Sequence, residues 1–173
     1  MLVSAGGSDT GLEILRMAMA ARPLSRFADH CWRILVSPRI SDIELNQLKH
    51  QADKGVIVER NRSDFTERLQ NASLSISQAG YNTITDLLAS RTPAVIIPFD
   101  ESGEVEQTRR AELLQKNNRV ISLPKKRLSA ESLAQAIDRA CELEFALDTD
   151  LNGASNSATI LQQWLSLRGH QHA

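Results

Sequence analysis

Two glycine-containing turns in this sequence combine residue types that bind phosphate. The first, at residues 5–11, reads AGGSDTG, and the second, at residues 77–83, reads SQAGYNT. Glycines let the backbone approach an anion closely, and the free N–H groups and positive dipole end of a following helix attract it. Two such turns side by side can share a diphosphate. Each can equally be a plain strand-to-helix connection, since neither GxGxxG nor GxxxxGK[ST] is matched.

Acidic and amide side chains near these turns suit the hydroxyl groups of sugars. Asp86 can accept hydrogen bonds from ribose hydroxyls, although the spacing Thr83-x-x-Asp86 equally fits a helix capping box. Residues 98–107 carry four acids, which suit sugar hydroxyls or a divalent cation and would repel phosphate. Gln107 both donates and accepts hydrogen bonds, which is useful for reading a sugar ring. A solvated acidic loop is the alternative for this segment.

Helices and strands must position these residues. Short apolar runs alternate with amphipathic stretches along the sequence, a pattern typical of parallel β-α-β units. Thr10-x-x-Glu13 and Ser41-x-x-Glu44 match capping boxes at the starts of two helices. The predicted strands cover residues 2–5, 31–37, 56–58, 73–77, 94–97 and 120–123. The predicted helices cover residues 10–21, 41–53, 63–71, 82–90, 105–116, 129–147 and 158–167.

Six strands alternating with helices predict an α/β fold with a Rossmann-like, doubly wound parallel sheet. Ligands of such sheets bind beyond the carboxyl ends of the strands, near the switch in strand order. We assign residues 1–147 to this domain and residues 148–173 to a polar linker and a last helix. The sequence begins inside its first predicted strand, so we expect a fragment of a longer protein.

Composition narrows the classes of function. The 173 residues, 42% hydrophobic and 24% charged, suit one folded domain. A net charge of -1 and 4% aromatic residues argue against a nucleic-acid partner. No apolar run approaches the roughly 20 residues of a transmembrane segment. Cys31 and Cys141 stand far apart without a CxxC motif, which predicts buried thiols in a reducing compartment.

The central block, residues 72–114, resembles a known family. It reads ASLSISQAGYNTITDLLASRTPAVIIPFDESGEVEQTRRAELL. In the order of its features it is similar to the carboxyl-terminal domain of family 28 glycosyltransferases. These features are a strand, a glycine turn, a helix with an acid, a P-A-(apolar)-P-F motif, a polar loop and a Gln ahead of Arg-Ala. The resemblance extends over residues 3–140. It implies the second half of a GT-B fold, in which two Rossmann-like domains face a cleft and the second binds the nucleotide sugar.

The resemblance also implies roles for individual residues. Asp86 would hold the ribose, at a position where the family usually has Glu. Glu106 and Gln107 would contact the donor sugar, at positions where the family more often has two glutamines. Asn61 and Arg62 would lie near the nucleobase. The diphosphate would lie between two sets of residues, Gly6, Gly7 and Ser8 on one side and Gly80, Tyr81, Asn82 and Thr83 on the other.

The mechanism implied by the family places part of the machinery outside this chain. GT-B enzymes stabilise the leaving diphosphate with helix N-termini rather than a metal, so we expect no cofactor and no metal. No side chain stands out as the general base. We expect the general base and the acceptor site in a missing amino-terminal domain. The expected function is UDP-sugar binding within an enzyme that transfers a hexosyl or N-acetylhexosaminyl group, in the cytoplasm, with any membrane association through the missing domain.

Other functions stay open on the same scaffold. The chain can be a complete subunit that pairs with a membrane-anchored partner, as in the two-subunit N-acetylglucosamine transferase of eukaryotes that it resembles. A noncatalytic domain that binds a nucleotide sugar is a second alternative. A nucleotide-sugar hydrolase or epimerase is a third, and product formed with water as acceptor would identify the hydrolase.

Overall fold

A parallel sheet forms the centre of the protein, whose computed structural model describes residues 1–6, 9–61, 63–99, 105–143 and 153–169. The strands are β1 (Leu2–Ser4), β2 (Trp32–Val36), β3 (Val56–Arg60), β4 (Ser75–Ser77), β5 (Ala94–Ile96) and β6 (Ile121–Ser122). All neighbouring strands pair in parallel, in the order β3-β2-β1-β4-β5-β6. The strand order therefore switches direction between β1 and β4, and the predicted six-stranded, doubly wound α/β fold is confirmed.

Helices cover both faces of this sheet. They are α1 (Asp9–Ala21), α2 (Asp42–Gln51), α3 (Phe65–Gln70), α4 (Tyr81–Ser90), α5 (Glu106–Lys116) and α6 (Ala130–Ala140). The helix α7 (Gly153–Gly169) follows them in the chain. Buried residues of α1, α2 and α6 share one hydrophobic cluster, and those of α3, α4 and α5 share another. This division of the crossover helices between two faces is what defines a doubly wound sheet.

The central strands are buried on both faces, as parallel strands require. Val3 and Ile76 belong to the cluster under α1, α2 and α6, whereas Leu2 and Ile96 belong to the opposite cluster. Successive side chains of a strand point to opposite faces, so short runs such as LVS and AVI supply both cores at once. The sheet thereby forms a rigid base from which the loops at its carboxyl edge project.

One of the two predicted capping boxes is confirmed and the other is wrong. The Ser41 side chain accepts from the Glu44 backbone N–H, and the Glu44 side chain accepts from the Ser41 backbone N–H. Thr10, by contrast, lies inside the first turn of α1, which begins at Asp9. Its hydroxyl instead accepts a hydrogen bond from Lys125 Nζ at 3.1 Å. The Thr10 hydroxyl thus has a partner 115 residues away in the sequence.

The predicted boundaries near the carboxyl terminus need correction. The helix predicted over residues 129–147 ends at Ala140, because the Glu142 and Leu143 N–H groups bond three residues back in tight turns. Leu143 packs against the hydrophobic core, which explains the apolar character that suggested a longer helix. The last helix begins at Gly153, within the predicted linker, of which residues 148–152 lie outside the described part of the chain.

The cysteine prediction is half wrong. Cys31 is exposed, whereas Cys141 is partly buried, and both are free thiols. Cys31 directly precedes β2 and so lies at the amino edge of the sheet, where the chain enters from the surface. Burial raises the pKa of the Cys141 thiol, which also contacts the Ile137 carbonyl at 3.2 Å.

Candidate functional site

A cavity of about 380 Å³ opens at the carboxyl edge of the sheet, at the switch between β1 and β4. Loops that follow β1, β2, β3 and β4 form its walls together with the starts of α4 and α5. This is the location at which open α/β sheets bind ligands. The residues that the sequence predicted and that line it are Gly6, Asn61, Gly80, Asn82, Thr83, Asp86 and Gln107.

The two glycine turns meet in this cavity through Gln78. The Gly6 backbone N–H donates to Gln78 Oε1 at 2.7 Å, so the first residue after β4 holds the turn after β1. A Cβ built on Gly6 would lie 2.7 Å from the same oxygen. Sequence reasoning did not assign a role to Gln78, although its place directly after the strand was a usable signal.

The turn after β1 is also packed tightly against α1. A Cβ on Gly11, in the first part of α1, would run into the Gly6 carbonyl oxygen and lie 2.9 Å from its carbon. Both contacts are with backbone atoms, which cannot rotate away. Gly11 is therefore required by close approach, and it sets the position of the turn. The predicted diphosphate residues Gly7 and Ser8 lie outside the described residues.

Helix α4 presents an open N-terminus to the cavity. Its N-cap is Gly80, in extended geometry at φ -61° and ψ 144°, with no side chain to cap the helix and no acid in the first turn. The first N–H groups of a helix have no partner within the helix, so this end is suited to an anion. Asn82 and Thr83 line the cavity in this first turn, whereas Tyr81 is 72% exposed and does not line it.

The position of Asp86 excludes the capping-box alternative. Thr83 is the third residue of α4 rather than its N-cap, so the spacing with Asp86 is coincidental. Asp86 instead lines the cavity and accepts a hydrogen bond from Thr66 Oγ1 on α3 at 3.3 Å. One of its carboxylate oxygens is thus oriented by a neighbouring helix, next to the same space that Gly80 borders.

Arg60 supports the wall of the cavity on the side of β2 and β3. It donates to the Ser37 carbonyl at 2.9 Å and to the Ile40 carbonyl, and it pairs with Asp42 at 2.7 Å. This fastens the loop after β2, whose Ser37 lines the cavity next to Asn61. Sequence reasoning missed Arg60 because its partners lie 18 to 23 residues away. The neighbouring candidate Arg62 lies outside the described residues.

The two candidates for the sugar side of the site are separated by the structure. Gln107 lines the cavity, and its Oε1 accepts from the Phe99 N–H at 3.2 Å. Glu106 does not line it; its side chain is 73% exposed and forms an ion pair with Arg110. Residues 100–104, the rest of the acidic loop, lie outside the described part of the chain.

The described residues contain neither a cluster of metal ligands nor a helix suited to span a membrane. No group of three or more His, Cys, Asp or Glu residues among them is arranged to hold a metal ion. None of the helices within the described ranges has the length and apolar character needed to cross a membrane.

A doubly wound parallel sheet with a cavity at its switch point defines the class of Rossmann-like α/β domains. Comparison with known families makes the class specific, since residues 2–158 match the glycosyltransferase family 28 C-terminal domain. The chain belongs to this family. The predicted resemblance is therefore confirmed.

Curated relatives carry the name UDP-N-acetylglucosamine--N-acetylmuramyl-(pentapeptide) pyrophosphoryl-undecaprenol N-acetylglucosamine transferase. The protein from Synechococcus sp. (strain CC9605) is 35% identical over 108 residues, which are 62% of this chain and 28% of the relative. The protein from Tolumonas auensis is 26% identical over 147 residues, which are 76% of this chain and 39% of the relative. The chain thus spans well under half the length of these transferases.

Solved structures of glycosyltransferases share the fold. MurG of Acinetobacter baumannii superposes with a TM-score of 0.71 at 16% identity, over 94% of this chain and 49% of that one. The spinosyn rhamnosyltransferase SpnG superposes with a TM-score of 0.64 at 19% identity, over 82% of this chain and 36% of that one. The six-stranded α/β domain is accordingly that of the carboxyl-terminal half of GT-B glycosyltransferases.

Proposed function

We propose that this chain binds the UDP-sugar donor of a glycosyltransferase that transfers a hexosyl or N-acetylhexosaminyl group. The named activity of the curated relatives, an N-acetylglucosamine transferase, supports the reaction class. The acceptor site and general base would come from an amino-terminal domain or a partner subunit. Both cysteines are free thiols, which supports a reducing, cytoplasmic location.

The observation that carries this proposal is the meeting of two glycine turns at one cavity beneath an uncapped helix N-terminus. Gly6 and Gly80 border the cavity from β1 and from α4, so a diphosphate between them would contact both turns. The volume of the cavity, about 380 Å³, falls within the usual range of small-molecule sites. Asp86 and Gln107 also line the cavity, where Asp86 would accept from ribose hydroxyls and Gln107 would contact the donor sugar.

Transfer of the sugar requires that charge developing on the leaving diphosphate be stabilised. The N–H groups and dipole of α4 supply fixed positive charge where that anion would lie, without any reorganisation during the reaction. We therefore propose a metal-independent donor site in which the nucleobase lies towards Asn61 and Arg62.

Calorimetric titration of UDP into the purified chain tests this function. We expect saturable binding that EDTA leaves unchanged. Asp86→Ala should weaken it about tenfold, because a charged acceptor of ribose hydroxyls is lost. Asp53→Ala is the matched control, since Asp53 is exposed and lies beside the amino end of β3, away from the cavity. Absence of UDP binding at millimolar concentration, or equal loss in both variants, would contradict the proposal.

A further inference from the structure

Arg110 links the start of α5 to the glycine turn that precedes α4. Its Nη1 donates to the Ala79 carbonyl at 2.8 Å, a contact across 31 residues. Ala79 is fully buried and directly precedes Gly80, the N-cap of α4. Arg110, which does not itself line the cavity, is thus bonded to the turn from which α4 begins.

The same guanidinium also forms an ion pair with Glu106, one turn earlier on α5. Arg110 is only 19% exposed, whereas Glu106 is 73% exposed. The Cζ of Arg110 lies 5.6 Å from the centroid of the Tyr81 ring, which covers the guanidinium from the side of α4. Arg110 is therefore held by partners on two helices and on the turn between β4 and α4.

Charge explains why a cation is useful at this place. Arg110 pairs with the Glu106 carboxylate and donates to the Ala79 carbonyl, so one guanidinium separates that carboxylate from the turn that carries Gly80. Without the guanidinium, the carboxylate would repel a diphosphate bound at this turn. A guanidinium is always charged and offers several fixed donors. It can therefore offset the charge of Glu106 and donate to the Ala79 carbonyl at the same time.

We propose that Arg110 is a positioning residue that makes this cavity accept a nucleoside diphosphate, by orienting the Gly80 turn and by neutralising Glu106. The proposal rests on the proposed function, which identifies the anion. It adds a residue to that function: the Glu106 carboxylate is tolerated beside the Gly80 turn because Arg110 pairs with it before the donor binds.

A double-mutant cycle with UDP as the probe tests the charge part. UDP carries the diphosphate without the sugar, so direct contacts between Glu106 and a sugar do not contribute. We expect Arg110→Met to weaken UDP binding about tenfold. In a Glu106→Gln background the same change should cost no more than about threefold, because the carboxylate charge has already been removed. Arg110→Lys, which keeps the charge, should restore part of the affinity.

Arg109→Met is the matched control, because it removes the same charge from an exposed position on the same helix. It should leave UDP affinity within about twofold of the wild type. The orienting part is tested without nucleotide, by hydrogen exchange of the Ile84 amide, which donates to the Gly80 carbonyl at 3.0 Å. Arg110→Met should speed this exchange, since the Ala79 carbonyl loses its donor, and Arg109→Met should not.

The outcomes separate this proposal from the function on which it rests. If the wild type bound UDP and the Arg110→Met variant bound it with the same affinity, the proposal would be overturned and the function would stand. Equal losses with and without Glu106→Gln would overturn neutralisation. Absence of UDP binding by the wild type would overturn the function and the charge part together, while the exchange measurement would still decide whether Arg110 orients the turn.

Discussion

At the scale of single residues, the partner of an acidic side chain decides what it can do. Asp86 and Glu106 are both acids near the start of a helix, and both were predicted as donor contacts. Asp86 lines the cavity with one oxygen bonded to Thr66, whereas Glu106 lies outside it in an ion pair with Arg110. Asp86 thus becomes the stronger candidate for a direct contact, and Glu106 acts within an ion pair.

Gly80 offers a substitution that should move stability and binding in opposite directions. Its φ of -61° suits any residue, and an added Cβ would meet only Thr83 Oγ1 at 3.9 Å. Gly80→Asp supplies a good N-cap and should raise the stability of the chain slightly. The new carboxylate would occupy the first N–H groups of α4, so UDP binding should weaken by about tenfold or more.

Thermal unfolding and UDP titration of the same samples check this prediction. Gly80→Ala is the control, because it adds the Cβ without the charge and should bind UDP nearly as well as the wild type. Unchanged affinity of the aspartate variant would show that the diphosphate does not bind at the N-terminus of α4.

At the scale of elements, the approach of α1 to the turn after β1 depends on Gly11. Gly→Ala inside a helix usually stabilises by about 0.5–1 kcal/mol. Here the added Cβ would collide with the backbone of Gly6, so the sign should reverse. We expect Gly11→Ala to lower the free energy of unfolding by about 1–3 kcal/mol, as overpacking does, and to weaken UDP binding.

Urea denaturation measures this difference. Gly153→Ala is the matched control, because Gly153 begins α7 and an added Cβ would meet nothing within 4 Å. It should leave stability nearly unchanged. If both variants behaved alike, close packing between α1 and the turn would not be the reason for glycine at position 11.

The capping box of α2 makes part of the stability dependent on pH. Hydrogen bonds from the Ser41 side chain and then its backbone lower the pKa of Glu44. A carboxyl whose pKa is lowered by folding stabilises above its unfolded pKa, and the stabilisation is lost as pH falls through the folded value. Ser41→Ala should cost about 1 kcal/mol at neutral pH. The difference from wild type should shrink in the acid range below the ordinary Glu pKa of 4.5.

Urea denaturation at neutral and at acid pH tests the dependence. Ser73→Ala serves as control, since Ser73 is exposed and precedes β4 without capping a helix. A cost of Ser41→Ala that stayed constant across this range would show that Glu44 does not contribute through its charge.

At the scale of the whole molecule, the two hydrophobic cores involve, among the residues that the structure describes, positions up to 143. Three apolar residues of α7 whose side chains are described, Ile160, Leu161 and Trp164, are 48 to 64% exposed. We therefore expect a chain ending at residue 147, the predicted domain boundary, to fold with an unchanged melting temperature and UDP affinity. Circular dichroism and the UDP titration measure both quantities. A truncated chain that failed to fold would show that α7 belongs to the domain.

The sequence by itself determined the local elements and therefore the fold class. Apolar runs of three to five residues and amphipathic stretches are encoded within about ten residues, so their alternation predicts parallel β-α-β units. The same applies to the capping box of Ser41 and to the two glycine turns. These signals, with the family resemblance of the central block, were sufficient to predict where most of the cavity residues lie.

Only the tertiary structure decided which of these local features work together. Pairing of β1 with β4 brings turns 72 residues apart into one hydrogen bond, from Gly6 to Gln78. Thr10 likewise accepts from Lys125 across 115 residues, and Arg110 donates to the Ala79 carbonyl across 31. Periodicity within one element carries no record of such partners, because they depend on how distant segments bury their surfaces against each other. The chain thus encodes its elements locally, while the site arises from their packing.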